Sequence, residues 1–419
     1  MPAAKSSRSL PRWEVLLPRY LALVYIAFFA TFFWVDDATQ HYRVYYLLGV
    51  VPGLVYLLSR AEWRHARAAR SWLAFVALVA VITLSGLLTP DVTLEARYDA
   101  VRYAVLALTL VISLCAVARR VPGFPEALLI AILVSASAYA LSLLYELVQV
   151  HGVAIWDQRL SLDAGYFDNP NRIASVYAAV ATLGLALGVR AGQARWLTAL
   201  GLGALLLGGL LVLLTQSRGG LLALAAGVTV LLALERRWYL LGGLLGAGVA
   251  AVAVVESGVL PMRAFSERIS SIVKRYDIWL VTLERIQQVP WLGEGWASSS
   301  AIYVEQYGRS WIHPHSTYLK VALQTGVLGL IAFLGCLYVW LRAGLRQAKA
   351  DWLARAGVAA LAAWLVHGLV ETRLAMAGVH REWLYFLLPL ALIVISELRA
   401  RAALKEREAS TSAAASTAA

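Results

Sequence analysis

Two histidines flank a proline in the segment His313-Pro314-His315, which lies directly before a long apolar run. Proline excludes a regular helix at this point, so we expect an extended stretch in which both imidazoles point to the same side. An imidazole pair held in this way could serve acid–base chemistry near neutral pH or bind a metal ion. Neither an HExxH motif nor a suitably spaced carboxylate accompanies the pair, and we therefore predict no metal site.

Arg218 is a second candidate, because it lies in the short polar turn 215–220 between two apolar runs. A charge at the centre of a bilayer costs about 2.5 to 3.5 kcal/mol on insertion scales, so the arginine must lie at or just below a membrane surface. It could anchor a hairpin by snorkelling, or it could face the interior and bind an anion. The small neighbours Ser217, Gly219 and Gly220 favour the anion site, since they leave room for a ligand near the backbone.

A third candidate is Arg275, within residues 266–289, where apolar side chains recur at helical spacing and Pro290 ends the pattern. Arg275 lies at the edge of the apolar face, and Arg268 lies two turns earlier on the same side. A basic helix face that rests on lipid headgroups is one interpretation. The other is that Arg275 points inward at the same anion as Arg218.

A fourth group is the segment Asp168-Asn169-Pro170-Asn171-Arg172. Asn-Pro interrupts regular structure, and Asn171 can cap the apolar run that follows. The segment could be no more than a loop with a helix cap. Arg172 at the start of a helix opposes the helix dipole, however, which indicates an anionic partner nearby. The adjacent pair Asp36-Asp37 could bind a divalent ion, but a solvated pair is favoured.

The composition defines the class of protein that must position these side chains. Hydrophobic residues make up 60% of the 419 residues and charged residues 15%, and the mean hydropathy is +0.69. Many apolar runs reach the roughly 18 to 20 residues that cross a bilayer. We predict an all-α polytopic membrane protein. The net charge of +12 is then explained by basic loops on the inner side of the membrane, and we predict no nucleic-acid partner.

About twelve transmembrane helices are expected, with both termini in the cytoplasm, because every second loop is rich in Arg and Lys. Residues 1–255 would hold helices one to nine and residues 317–397 helices ten to twelve. Between them, residues 256–316 would form one large periplasmic loop with an amphipathic helix and the histidine segment. Residues 398–419 would form a disordered cytoplasmic tail. No cleavable signal peptide is expected.

Five segments in this order resemble the O-antigen ligase/polymerase superfamily, and the WaaL-type O-antigen ligases in particular. They are Phe167 to Asn171, Thr215 to Gly220, Arg275 with Trp279, Pro290 to Gly295, and His313 to Leu319. Ser316 departs from the pattern, since many members have asparagine after the histidine. Members that polymerise glycans or attach them to proteins share the signature.

The resemblance implies a metal-independent GT-C-like glycosyltransferase without a cofactor, in the bacterial inner membrane, with its active site facing the periplasm. Such an enzyme transfers a glycan from undecaprenyl pyrophosphate to a sugar hydroxyl of lipid A–core. The family's histidine corresponds to the His313–His315 stretch; we favour His315 as the general base, and His313 could bind the acceptor, orient His315 or be the base itself. The predicted ligands of the pyrophosphate are Arg218, Arg275, Arg172 and Arg268. The predicted further substrate contacts are Asn169, Asn171, Ser217 and Trp279.

Two other functions stay open at this point. An O-antigen polymerase or a protein O-oligosaccharyltransferase of the same superfamily would use the same residues on another acceptor. A lipid-linked oligosaccharide flippase would also have many spans and interior arginines. It would not need the histidine segment or the long outside loop.

Overall fold

The computed structural model describes residues 12–35, 37–60, 62–90, 92–151, 159–160, 169–244, 246, 269–371 and 378–418. Helices dominate these residues. The first half of the chain contains α1 (Arg12–Thr31), α2 (Ala38–Tyr45), a π-helical turn (Tyr46–Val50), α3 (Val51–Arg60), α4 (Trp63–Ala66), α5 (Arg70–Leu88), α6 (Leu94–Arg120) and α7 (Phe124–His151).

The second half begins with α8 (Pro170–Gly188), α9 (Arg195–Leu214) and α10 (Arg218–Leu234), and residues 238–244 are also helical. After these come α11 (Ile269–Gln288), strand β1 (Ile302–Val304), a 3-10 turn (Glu305–Tyr307) and strand β2 (Arg309–Trp311). The chain ends with α12 (Thr317–Gln347), α13 (Trp352–Val370), a second π-helical turn (Trp383–Leu387) and α14 (Leu388–Ala418).

Within the described residues, ten helical segments are long and apolar enough to cross a membrane, and α10 is a shorter apolar helix of 17 residues. The prediction of an all-α polytopic membrane protein is confirmed. These segments coincide with eleven of the twelve predicted spans. Most of the ninth predicted span, near residues 238–255, lies outside the described residues.

The C-terminal tail differs from the prediction, because α14 continues as a helix through Ala418 where disorder was expected. Residues 402–412 are exposed, so packing does not explain the helix. The tail is rich in Ala, Glu, Lys and Arg, which have high intrinsic helix propensity. Its low hydrophobicity had suggested disorder.

The centre of the bundle is α8, whose residues are almost all buried and which packs against α9, α10 and α13. α13 also packs against α12 and α14, so these helices form one continuous core. The starts of α8, α10 and α12 and the end of α13 therefore meet at one end of the bundle. This is the end that carries the candidate residues.

The structure describes the polar segment before α12 from Ile269 onward. α11 packs on the start of α12 and on β1, and Ile278, Ile302, Val304 and Leu323 form a small second core between them. The two strands pair in antiparallel fashion, with Ile302 opposite Trp311. As predicted, the amphipathic helix ends just before Pro290.

A break in α12 fixes the far end of this segment. Gly326 has φ 64°, a conformation that glycine adopts without steric cost, and a Cβ there would lie 2.2 Å from the carbonyl oxygen of Trp291. The amide of Val327 donates to the Pro290 carbonyl at 2.7 Å, and the amide of Glu294 donates to the Leu323 carbonyl at 2.9 Å. The turn after α11 is thereby built into the bundle.

Candidate active site

A cavity of about 620 Å³ lies between the start of α10, the helix α11 and the end of α13, and we call it the arginine cavity. It brings together Arg218 and Arg275, which the sequence analysis predicts to face the same anion. The lining residues are Arg159, Asn171, Ser217, Arg218, Gly219, Leu222, Arg275, Tyr276, Trp279, His367, Val370 and Glu371.

Arg218 is the first residue of α10, and Ser217 is its N-cap, with the hydroxyl accepting from the Gly220 amide at 3.2 Å. The positive end of the helix dipole therefore lies at the cavity, where it favours an anion. Gly220 does not leave room for a ligand, as the sequence predicts, but serves helix packing. A Cβ on Gly220 would lie 2.4 Å from that of Ala174, so this glycine allows α10 to approach α8 closely.

Arg159 is a third arginine in this cavity, and the sequence analysis did not identify it. Its Nε donates to the Thr215 carbonyl at 2.9 Å, and its Nη2 donates to Asn171 Oδ1 at 2.8 Å. The neighbouring amide of Leu160 donates to the Leu214 carbonyl at 3.0 Å. Arg159 belongs to a long polar loop with no periodic pattern, so only its charge could have drawn attention to it.

Asn171 connects the arginines to a carboxylate. Its Oδ1 accepts from Ser217 Oγ at 2.9 Å as well as from Arg159, and its Nδ2 donates to Glu371 Oε2 at 2.7 Å. The prediction that Asn171 caps α8 is wrong. Asn169 is the cap, with its Oδ1 accepting from the Asn171 amide at 2.9 Å, because proline is favoured at the first helical position. Asn171 is thereby available for the cavity.

A smaller cavity of about 80 Å³ lies beside the first and holds the histidine pair, and we call it the histidine cavity. Asn171, His367 and Glu371 line both cavities. The other lining residues are Asn169, Arg172, Ser175, His313, His315, Thr317, Trp364, Gly368, Arg381, Glu382 and Tyr385. Arg172 therefore lies on the histidine side and not with Arg218 and Arg275.

The histidine segment turns where an extended chain was predicted. His315 has φ 51°, in the left-handed region, which costs a non-glycine residue of order 1 to 3 kcal/mol. The two rings lie 4.5 Å apart between centroids at an angle of 71°, and the His315 amide donates to His313 Nδ1 at 3.4 Å. Trp279 Nε1 donates to the Pro314 carbonyl at 2.9 Å. Trp279 thus holds the backbone between the histidines and also lines the arginine cavity.

Glu371 completes the histidine pair, although it lies 56 residues after His315 in the chain. His315 Nδ1 is 3.5 Å from Glu371 Oε1, and Thr317 Oγ1 donates to the Glu371 carbonyl at 3.1 Å. Burial raises the pKa of the Glu371 carboxyl, but its hydrogen bond with His315 and the charges of the nearby histidines outweigh burial and lower the pKa below its usual range. The carboxylate is therefore ionised next to His315.

The remaining candidates are less informative. Arg268 and Asp36 lie outside the described residues. Asp37 is the N-cap of α2, where its side chain accepts from the amides of Thr39 and Gln40 at 2.7 and 3.3 Å. A helix cap explains Asp37 without a divalent ion.

Among the described residues, one group of His, Cys, Asp and Glu side chains is compact enough to hold a metal ion. It consists of His313, His315 and Glu371, whose ligand atoms all lie within 4.8 Å of one another. Local spacing in the sequence could not reveal this carboxylate, because Glu371 reaches the histidines only through the packing of α13 beside α12.

Comparison with known proteins shows which proteins this chain resembles. A family model described as O-antigen ligase matches residues 202–334, which include Arg218, Arg275 and both histidines of the pair. The O-antigen ligase of Pseudomonas aeruginosa is 27% identical to this chain, over 96% of this chain and 95% of that protein. Over residues 202–334, and over most of its length, the chain is similar to O-antigen ligases.

Two further proteins are similar to a short segment of this chain. The putative polysaccharide ligases of Rickettsia felis and Rickettsia conorii are 35% and 34% identical over 82 residues, which is 17% of this chain and 20% of each of theirs. The resemblance drawn from the five motifs is confirmed at the level of the family. The ten apolar helices among the described residues make this chain a multi-pass membrane protein. Its similarity to O-antigen ligases implies an enzyme of the glycosyltransferase type that acts on lipid-linked sugars.

Proposed function

We propose that the chain transfers a glycan from undecaprenyl pyrophosphate to a sugar hydroxyl of lipid A–core, without a metal ion. One observation carries the proposal: the arginine cavity and the histidine cavity share a wall formed by Asn171, His367 and Glu371. A site for an anionic leaving group and a site for a general base are thereby adjacent. Glycosyl transfer from a pyrophosphate needs both.

The arginine cavity suits the pyrophosphate of the donor. Negative charge grows on the leaving group during the reaction, and guanidinium groups remain charged and bind phosphate oxygens in bidentate fashion. Arg218 and Arg275 are the proposed ligands, and the hydrogen bonds of Arg159 to Thr215 and Asn171 hold a third guanidinium at the same cavity. Fixed positive groups of this kind stabilise the developing charge.

His315 is the proposed general base. As the acceptor oxygen bonds to the anomeric carbon, the bond from that carbon to the pyrophosphate oxygen breaks and its electron pair stays on the leaving group. The acceptor proton moves to His315. Glu371 orients the imidazole and stabilises the imidazolium that forms, since the carboxylate is ionised 3.5 Å from Nδ1. His313 is in ring contact with His315 and remains the alternative base.

A periplasmic site in the inner membrane is supported by the charges at the opposite end of the bundle. α8 and α10 begin at the cavities and end at basic segments, where Arg190 stacks on Trp352 at 4.7 Å and Glu235 pairs with Arg355 at 2.5 Å. Basic loops face the cytoplasm in most membrane proteins. The cavities would then face the periplasm, where a donor lipid and lipid A–core could reach them from the bilayer.

The test is transfer by the purified protein in liposomes that contain the donor lipid and lipid A–core, with no energy source. We expect a joined glycan–lipid A–core product and release of undecaprenyl pyrophosphate. Longer donor-linked chains in the absence of lipid A–core would indicate a polymerase. Translocation of the donor without any joined product would contradict glycosyl transfer and favour a flippase.

A further inference from the structure

The cluster of His313, His315 and Glu371 contains the donor set that zinc prefers. Imidazole nitrogens and a carboxylate oxygen are common zinc ligands, whereas magnesium prefers oxygen ligands in an octahedron. All three ligand atoms lie within 4.8 Å of one another. Zinc bonds of roughly 2.0 to 2.2 Å in a tetrahedron place neighbouring ligand atoms roughly 3.3 to 3.5 Å apart.

One of the three separations is already at that value, since His315 Nδ1 is 3.5 Å from Glu371 Oε1. His313 lies against His315, with ring centroids 4.5 Å apart. The His313 side chain therefore needs to move by only about an ångström to complete the three zinc ligands. We expect side-chain torsions to supply this movement while the backbone stays in place.

The surroundings of the cluster also fit a metal site. Metal-binding carboxylates are usually held by a further hydrogen bond, and Asn171 Nδ2 donates to Glu371 Oε2 at 2.7 Å, on the oxygen that does not face His315. Trp279 holds the Pro314 carbonyl between the two histidines. The ligands thus come from elements that are fixed by other contacts.

We propose that this cluster is an inhibitory zinc site. Zinc, or another divalent ion that favours imidazole, binds His313, Nδ1 of His315 and Glu371. With the metal on Nδ1 the ring proton of His315 lies on Nε2, so that Nε2 has no lone pair with which to accept the acceptor proton. The inhibition rests on the proposed function, whereas zinc binding itself does not. Zinc would be released again as its free concentration falls, so transfer would respond to available zinc without needing it.

Nearby positive charges limit the affinity. Arg172 and Arg381 line the histidine cavity together with Glu382, Arg218 and Arg275 line the neighbouring cavity, and Glu371 is the one carboxylate among the three ligands. Three protein ligands leave the fourth position to water. We therefore expect reversible binding with a dissociation constant on the order of micromolar, weaker than at closed structural sites.

The first experiment measures binding alone. The purified protein, in phosphate-free buffer, competes for zinc with a chromogenic chelator of known affinity. We expect one zinc ion per chain, no competition by millimolar magnesium, and affinity losses of about tenfold or more for His313→Ala and Glu371→Gln. His65→Ala is the matched control, because His65 lies 3.8 Å from Glu62 in a pair with no third ligand among the residues that the structure describes. Each variant is first checked by size-exclusion chromatography.

Equal zinc affinity in the wild type and in both ligand variants would refute the proposed zinc site. The absence of zinc binding to the wild type, with zinc at 100 times the protein concentration, would refute it as well. The second experiment follows transfer by the wild type in chelator-buffered free zinc. The rate should fall with a midpoint that matches the measured dissociation constant and should return when EDTA is added. A rate that rises with zinc would refute inhibition. Zinc binding without any transfer would count against the proposed function alone.

Discussion

Replacement of Glu371 by glutamine is the sharpest test of the proposed chemistry, because it removes a charge and keeps the shape. The glutamine oxygen can still accept from Asn171, as Oε2 of Glu371 does at 2.7 Å. Only the stabilisation of a protonated His315 is lost. The variant should therefore fold and insert as the wild type does.

The size of the effect follows from the distance between the two groups. Unit charges 3.5 Å apart interact by about 5 kcal/mol at an effective dielectric constant of about 20. The side chains of His315 and Glu371 are 25% and 19% exposed, so water screens part of this interaction. We expect about half to appear in the barrier, or roughly 2 to 3 kcal/mol, which is a loss of about 30- to 150-fold in the transfer rate.

The assay compares initial transfer rates and donor-lipid binding on purified Glu371→Gln and Glu294→Gln. Glu294 is a matched control, since it pairs with Arg285 outside both cavities. In Glu371→Gln the maximal rate should fall while donor affinity stays, because the arginines remain. If Glu371→Gln transfers as fast as Glu294→Gln, the carboxylate does not assist the base.

Three further predictions concern the other parts of the site. His315→Ala should lose about 10²- to 10⁴-fold in transfer rate, the usual contribution of a general base, and His313→Ala should lose less. The transfer rates of both purified variants test this, and an inactive His313→Ala beside an active His315→Ala would make His313 the base. Arg218→Lys and Arg275→Lys should each abolish normal transfer and weaken donor binding, because lysine keeps the charge but not the bidentate fork; full activity in both would favour lipid anchoring. Transfer by the wild type should survive EDTA, and a loss that magnesium restores would contradict a metal-independent reaction.

The helices could be predicted from sequence because the bilayer imposes a simple rule on length and polarity. Ten spanning segments and α10 lie where apolar runs were read. The tail is the exception in the described residues, since low hydrophobicity says little about an Ala-rich segment that forms a helix by propensity.

Site residues could be predicted only where a charged or polar residue stands out against the apolar sequence around it. Arg218 between apolar runs and the His313–His315 pair are visible as anomalies along the chain. Glu371 and Arg159 are ordinary polar residues in their own segments, and they reach the cavities only through the packing of α13 and through the loop that meets α9. The left-handed backbone of His315 could not be predicted either, because Trp279 fixes that turn from another helix.

The break of α12 at Gly326 has a consequence for the length of the outer segment. Hydrogen bonds from Val327 and Glu294 fix the chain just after α11, and the start of α12 fixes it again at the histidines. At the tip of the hairpin between these two anchors, Glu305, Gln306 and Gly308 are exposed, whereas Tyr307 is half-buried and its hydroxyl donates to Asp277 at 2.6 Å. Residues can therefore be inserted at the exposed positions of this tip while both anchors and the contact of Tyr307 with α11 stay in place. The hairpin is therefore a suitable position for an affinity tag or a fluorophore.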